Sequence, residues 1–142
     1  MDAEQLYDQD FYLWTRETAA ALRARRFADL DIDHVAEEIE DMGKREAREL
    51  KSRIIQVLEH LLKLRVAKGV ILEYNQAGWQ ASIIRQRDEL DTLLEESPSL
   101  RRLVTPELIQ ACYGRARTRV MTEYKIDTPV ECPFSQQEVI SI

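Results

Sequence analysis

Apolar residues recur at intervals of three and four along most of the chain, the spacing that places side chains on one face of an α-helix. The pattern is clearest between residues 33 and 68, where it continues almost without interruption. The apolar residues there are Val35, Ile39, Met42, Ala47, Leu50, Ile54, Val57, Leu58, Leu61 and Leu64. Shorter stripes predict further helices over about 8–25, 75–96 and 105–125. The sequence thus predicts four main helices with short extra turns.

Residues that start and stop helices support these boundaries. Asp8 is placed to cap the first helix, and Gly69 suits the end of the second. Thr105 followed by Pro106 is typical of a helix start. An extended C-terminal tail should follow the fourth helix, and Ser135-x-x-Glu138 then reads as a capping box for a last turn. We therefore expect an all-α fold, a single helical bundle with an extended tail.

The length of the second predicted helix creates a conflict with a compact fold. A helix over 33–68 would be about 50 Å long. A compact domain of 142 residues should be only about 37 Å across. Either the helix breaks near Gly43, or its free end packs on a partner chain. The apolar connector 70–74 also has two interpretations. It either covers the end of the bundle or offers docking surface for a partner.

Composition narrows the class of protein. With 142 residues the chain fits one domain, 1–142. It contains only four Gly and four Pro, too few turn-forming residues to separate many short strands. A net charge of −6 argues against tight non-specific nucleic-acid binding. No apolar run approaches the ~20 residues that cross a membrane. The acidic N-terminus carries no apolar signal segment, so we expect a cytoplasmic protein without a membrane anchor.

Several polar residues occupy positions where the helical pattern predicts burial. His34, Glu38 and Asp41 share one face, and the stripe of the third helix is interrupted at Gln86 or Arg87. A buried arginine needs a carboxylate partner, so we expect Arg87 to pair with Glu38 or Asp41. Together these residues form a candidate polar seam, which comprises His34, Glu37, Glu38, Asp41, His60, Trp79, Gln86 and Arg87.

No recognised catalytic or cofactor motif accompanies this seam. Neither histidine has the Glu-x-x-His spacing of di-iron bundles, and His-Glu-x-x-His is absent from the sequence. Cys112 and Cys132 form no Cys-x-x-Cys pair and read as reduced thiols. The sequence therefore predicts no catalytic residue, no cofactor and no metal site, and it favours a non-enzymatic protein.

Three segments resemble a known bacterial family. They are Leu6-Tyr7-Asp8-x-Asp10-Phe11-x-x-Trp14, the stretch 31–43 with Asp33-His34-x-x-Glu37-Glu38, and Trp79-x-x-x-Ile83-x-x-Gln86-Arg87. Pro129-x-x-Cys132-Pro133 adds to the likeness near the end. The chain resembles the family catalogued as domain of unknown function number 29. The resemblance implies a helical fold and a bacterial cytoplasmic setting, and it implies no particular activity.

The function that these features favour is a protein-interaction module, which binds a protein partner or a second copy of itself. The long amphipathic helix and the apolar connector would supply its docking surfaces. One alternative is a nucleic-acid-associated regulator of the toxin–antitoxin kind, because 44–68 and 101–119 are rich in Lys and Arg. A second alternative is a metal-dependent enzyme that uses the face of His34, Glu38 and Asp41.

Overall fold

The computed structural model describes residues 1–140, and 82% of them are helical. No β-strand occurs in this range, so the all-α prediction is confirmed. Short 3-10 turns lie at Phe27–Asp29 and Pro98–Leu103. The α-helices are α1 (Ala3–Gln9), α2 (Phe11–Arg23), α3 (Ile32–Val66), α4 (Gly69–Glu96), α5 (Pro106–Tyr124) and α6 (Gln136–Val139).

The region predicted as one helix from residue 8 contains two helices. Asp2 caps α1, where its side chain accepts a hydrogen bond from the backbone N–H of Gln5. Asp10 ends α1 and begins α2, because its carboxylate accepts from the N–H of Leu13 at 3.0 Å. The predicted cap at Asp8 is therefore wrong. An acceptor at residue 10 satisfies a free amide of the next helix, which divides the segment there.

The break near Gly43, one of the two alternatives for the long helix, does not occur, because α3 runs through this residue. One glycine costs a helix only about 1 kcal/mol relative to alanine, and good helix formers surround it. The connector 70–74 is likewise helical, since α4 begins at Gly69. Gly69 has φ +64°, a left-handed conformation that favours glycine at the junction. Val70 and Tyr74 are 64% and 86% exposed, so the segment does not cover a bundle end.

The later boundaries follow the sequence signals. The Thr105 hydroxyl accepts from the N–H of Leu108 at the start of α5, directly before Pro106. Ser135 and Glu138 form the predicted capping box around α6. Between these helices the chain from residue 125 to 135 contains no helix or strand. Capping residues in the sequence were therefore sufficient to predict where α5 and α6 begin.

The prediction of one domain over 1–142 stays a prediction, and the chain divides into two compact units. The first comprises Met1–Arg45, and the second begins at Glu46. The second unit contains the extensive core, in which apolar side chains of α3, α4, α5 and the C-terminal segment pack together. Its most deeply buried large members include Leu50, Ile54, Leu58, Leu62, Leu90, Leu94, Tyr113, Val120 and Ile140.

The core of the first unit is small. Among its described residues only Leu6, Trp14 and Ala21 are buried apolar side chains. Many other large apolar side chains of this unit are exposed to solvent, and they are Phe11, Tyr12, Leu13, Leu22, Phe27, Ile32, Ile39 and Met42. The first unit thus exposes apolar surface that a self-sufficient helical core would normally cover.

Candidate functional site

A polar cluster in the first unit joins α1 to the beginning of α3. The Tyr7 ring stacks on the His34 ring, with centroids 3.7 Å apart and planes 14° from parallel. The Tyr7 hydroxyl donates a hydrogen bond to Oε1 of Glu38 at 2.6 Å. Since His34 and Glu38 are one helical turn apart, a single tyrosine contacts both of them. The structure therefore brings these two seam residues together.

Asp31 completes this cluster from the residue before α3. Its carboxylate accepts from the backbone N–H of His34 and is hydrogen-bonded to Nδ1 of the same residue. The side-chain hydrogen bond to Asp31 raises the pKa of His34, and the bond from His34 lowers the pKa of Asp31. The pair therefore favours the imidazolium and the carboxylate together.

Tyr7 is held as a hydrogen-bond donor. Its bond to Glu38, with smaller contributions from burial and from neighbouring carboxylates, raises the pKa of Tyr7 to about 12. A phenol with this pKa keeps its proton at neutral pH. It can therefore hold Glu38 in place, but it is poorly suited to act as a base or a nucleophile. The chemistry of the cluster is mutual hydrogen bonding.

Beside the polar cluster, Trp14 forms the buried part of an aromatic group. Its ring meets the edge of Tyr7 at 4.9 Å and stacks on Phe11 at 5.7 Å. Trp14 is only 3% exposed, yet its indole N–H has no hydrogen-bond acceptor anywhere in residues 1–140. A buried donor without an acceptor costs about 1–3 kcal/mol.

Trp14 lines a cavity of about 910 Å³ that lies within the first unit. Apolar walls come from Leu6, Ala21 and Ile32. The acidic side chains around the cavity are Asp2, Glu4, Glu17, Asp29, Asp31 and Asp33, whereas Arg26 is its single Lys or Arg. Arg26 is itself paired with Asp29 at 3.2 Å. The cavity thus combines apolar lining residues with an excess of negative charge.

In the second unit, Gln86 is the polar residue that occupies the apolar stripe. It is 4% exposed, accepts from Arg53 at 3.0 Å and donates to Oε1 of Gln56 at 2.7 Å. Arg87 is half-buried and donates to the backbone carbonyl of Glu138. Arg87 and Glu38 therefore have partners other than those that the sequence predicted, and each partner belongs to the residue's own unit.

Trp79, another predicted seam residue, belongs to a site that the sequence did not reveal. The ammonium of Lys63 lies 5.8 Å from the centroid of the Trp79 ring and 5.5 Å from that of Tyr124. It also forms ion pairs with Glu123 at 3.1 Å and Glu59 at 3.4 Å. Burial alone would lower the pKa of Lys63, but the two carboxylates outweigh it and raise that pKa. Lys63 is therefore a buried cation. We call Lys63 and its four neighbours the lysine box.

Within residues 1–140 the side chains of His60, Glu37 and Asp41 form no hydrogen bond with either group, but the nearby Glu37 and Asp41 carboxylates contribute to the raised pKa of Tyr7. Nδ1–H of His60 donates to the carbonyl of Gln56 at 2.7 Å within α3. Glu37 is exposed and Asp41 is half-buried. No set of three or more His, Cys, Asp or Glu side chains in the described chain is arranged to hold a metal ion. The described chain therefore adds no observation in favour of the metal-dependent alternative.

The nucleic-acid alternative depended on free basic residues, and several of these are already paired. Arg119 contacts Glu59 at 3.4 Å, and Arg53 contacts Glu49 at 3.4 Å. Arg117 donates to the backbone carbonyl of Thr128. The two ion pairs lower the charge that a phosphate backbone would meet, whereas the bond of Arg117 only fixes its side chain. The structure therefore adds no observation in favour of nucleic-acid binding.

Sequence reasoning missed Tyr7, Asp31, Trp14 and Lys63. Asp31 could have been found as the residue three before His34 at a helix start, where a carboxylate commonly accepts backbone N–H bonds. Tyr7 and Trp14 lie in the first segment that carried the family resemblance. Lys63 stands in the run Leu61-Leu62-Lys63-Leu64 with Glu59 four residues before it, a spacing typical of an ion pair that could have drawn attention to it.

Fold and sites together define an all-α protein whose second unit has a well-packed core and whose first unit carries an acidic cavity. None of its described helices has the length and apolarity needed to span a membrane. The family model for "Domain of unknown function DUF29" matches residues 6–142, nearly the whole chain. The chain belongs to this family, as the resemblance indicated. Neither the curated proteins nor the solved structures provide a significant match.

Proposed function

We propose that the chain is a non-enzymatic protein-interaction module whose first unit binds a basic segment of a partner protein in the acidic cavity. The observation that carries this proposal is the lining of the cavity, where six Asp or Glu side chains accompany apolar residues and Arg26 is the single Lys or Arg. The basic segment can place apolar atoms against Leu6 and Ala21.

The charge of the first unit specifies the kind of segment. Residues 1–45 carry twelve Asp or Glu and six Lys or Arg, so their net charge of −6 equals that of the whole chain. Lysine and arginine have aliphatic stems that pack on apolar walls and charged ends that reach carboxylates. A basic segment thus matches both the apolar and the acidic lining of the cavity, and the acidic residues would also accelerate its association.

The polar cluster supports the non-enzymatic part of the proposal. Tyr7, His34, Asp31 and Glu38 direct their hydrogen bonds at one another, and the pKa of Tyr7 is raised away from neutrality. Catalysis would require one of these groups to be available to a substrate. Their mutual bonds instead join α1 to α3 beside the cavity, which is a positioning role.

Selection from a random peptide library displayed on phage tests the proposal, because such a library samples many segments at once. We expect peptides enriched in Lys and Arg, whose binding weakens as salt rises. The protein has one tryptophan in each unit, so ¹⁵N-labelled protein provides an internal comparison. The indole N–H signal of Trp14 should shift on peptide addition, while that of Trp79 should not.

Two variants make this experiment decisive. Trp14→Phe removes the indole N–H while retaining an aromatic ring, and Trp79→Phe is its matched control in the second unit. Because Trp14→Phe also changes a buried residue, the exposed Glu17→Lys provides a second variant, with Glu73→Lys on α4 as its control. Selected peptides without basic residues, or peptides that bind Glu17→Lys as well as Glu73→Lys, would overturn the proposal.

A further inference from the structure

An exposed apolar stripe runs along the part of α3 that belongs to the first unit. Ile39 and Met42 are 59% and 54% exposed, and Val35 is half-buried beside them. Their spacing of four and three residues is that of the a and d positions in a coiled coil. None of the three lines the acidic cavity. This stripe is therefore a second surface, independent of the proposed peptide site.

We infer that the occupant of this stripe is α3 of a second copy of the chain, packed antiparallel. In this arrangement Ile39 of each copy packs against Met42 of the other. The inference comes from the residues beside the stripe. With Val35 and Met42 at d and Ile39 at a, Glu38 and Arg45 occupy the g positions on one side, and Ala36 and Gly43 occupy the e positions on the other.

The charges select the antiparallel direction. In an antiparallel pair the g positions of the two helices face each other, and the Ile39–Met42 register places Glu38 of each copy beside Arg45 of the other. Two opposite-charge pairs result. In a parallel pair each g residue faces an e residue five positions further on, so Glu38 would face Gly43. Only the antiparallel arrangement gives both charged side chains a partner of opposite charge.

The small residues on the other side fit the same register. The e positions also face each other in an antiparallel pair, which places Ala36 of each copy against Gly43 of the other. Small side chains there let the helices approach closely. A Cβ atom built on Gly43 meets nothing within 4 Å in its own chain, so this face is open. The antiparallel contact thus gives a reason for a glycine inside α3.

The apolar part of this contact is small, with Ile39 and Met42 from each copy at its centre. We therefore expect a weak dimer whose population rises with protein concentration, and analytical ultracentrifugation over a range of concentrations measures it. Ile39→Ser should weaken dimerisation by about 100-fold, because the symmetric contact loses two buried isoleucines at roughly tenfold each. Ile84→Ser is the matched control, since Ile84 is 62% exposed on α4 of the second unit.

Charge reversal tests the register. Arg45→Glu and Glu38→Arg should each form a weaker dimer than the unmodified chain, because like charges then face each other. An equimolar mixture of the two variants should restore dimers, since both facing pairs become opposite in charge. Restoration supports the antiparallel register, and its absence between two folded variants overturns it.

Glu38 also accepts the hydrogen bond of Tyr7, so its variant requires a check of helical content by circular dichroism. If Glu38→Arg loses helix, Arg45→Glu decides the question alone, because it leaves the Tyr7–Glu38 bond intact. Undiminished dimerisation of Arg45→Glu would then overturn the inference. A strict monomer at millimolar concentration, or equal dimerisation of Ile39→Ser and Ile84→Ser, would do the same.

Discussion

Lys63 lies in the interior of the second unit, and its replacement by methionine measures what the lysine box contributes to stability. Methionine has a similar length and shape, so the substitution removes the charge while largely retaining the packing. Three interactions disappear with the ammonium. They are the pair with Glu59, the pair with Glu123, and the attraction to the rings of Trp79 and Tyr124.

The size of the effect depends on what happens to the two carboxylates. Stranding a buried charge by removing its partner typically costs 3–5 kcal/mol. Here Glu123 has a side chain that is 50% exposed, so water replaces much of its lost partner. Glu59 is only 15% exposed, but it retains Arg119 at 3.4 Å. Neither carboxylate is stranded, and the desolvation of Lys63 is no longer required. We therefore expect Lys63→Met to lower the free energy of unfolding by about 1–2 kcal/mol.

Urea unfolding followed by circular dichroism measures this difference. For a unit of this size, each kcal/mol should also lower the melting temperature by about 4–8 °C. Glu123→Gln is a useful companion variant, because it removes the more exposed pair and should cost less than Lys63→Met. A Lys63→Met protein as stable as the original, or more stable, would refute the reasoning. It would mean that the desolvation of Lys63 equals or exceeds its attraction to the four neighbours.

Three further predictions concern other parts of the chain. Tyr113→Phe should cost about 1 kcal/mol and speed amide exchange near Pro129, since it removes the 2.6 Å hydrogen bond from the buried hydroxyl to the Pro129 carbonyl. Gly43→Ala should raise helix stability by about 1 kcal/mol in dilute solution, where thermal unfolding measures it. The His34–Asp31 pair should stabilise the first unit most between pH 3.8 and pH 6.5, the ordinary pKa values of Asp and His. This stability is lost as pH rises through the raised pKa of His34 or falls through the lowered pKa of Asp31. A pH titration of the whole chain, followed by the NMR signals of the first unit, measures this change. In the His34→Gln variant the loss of stability at higher pH should disappear.

Long apolar stripes made the helices predictable, but residues with two roles obscured their ends. The stripe of α3 has ten apolar positions in register, and a single Gly43 does not outweigh them. Asp10 was missed because it lies between Tyr7 and Phe11, which continue a helical pattern across the division. The segment 70–74 was predicted as a connector because Gly69 and Asn75 resemble helix-end signals, whereas it forms the first turns of α4, where Val70, Ile71 and Tyr74 are exposed.

The sequence located several residues of the candidate sites, but it did not predict which residues they contact. Helical spacing located the anomaly at Gln86 or Arg87, and the structure shows that Gln86 is the more deeply buried of the two. The partner of Arg87 could not be predicted, because the backbone carbonyl of Glu138 lies 51 residues away and carries no sequence signal. Lys63 escaped notice for a related reason, since Glu123 comes from a different helix.

The uneven cores of the two units have a consequence for how the molecule loses structure. Amide exchange and proteolysis report local opening, and regions with few buried apolar contacts open at the lowest free energy. The first unit, which buries little beyond Leu6, Trp14 and Ala21, should therefore exchange its amides well before the helices of the second. A partner seated on the first unit would slow that exchange in proportion to its occupancy. The least protected part of the chain thus becomes the most sensitive reporter of whatever binds it.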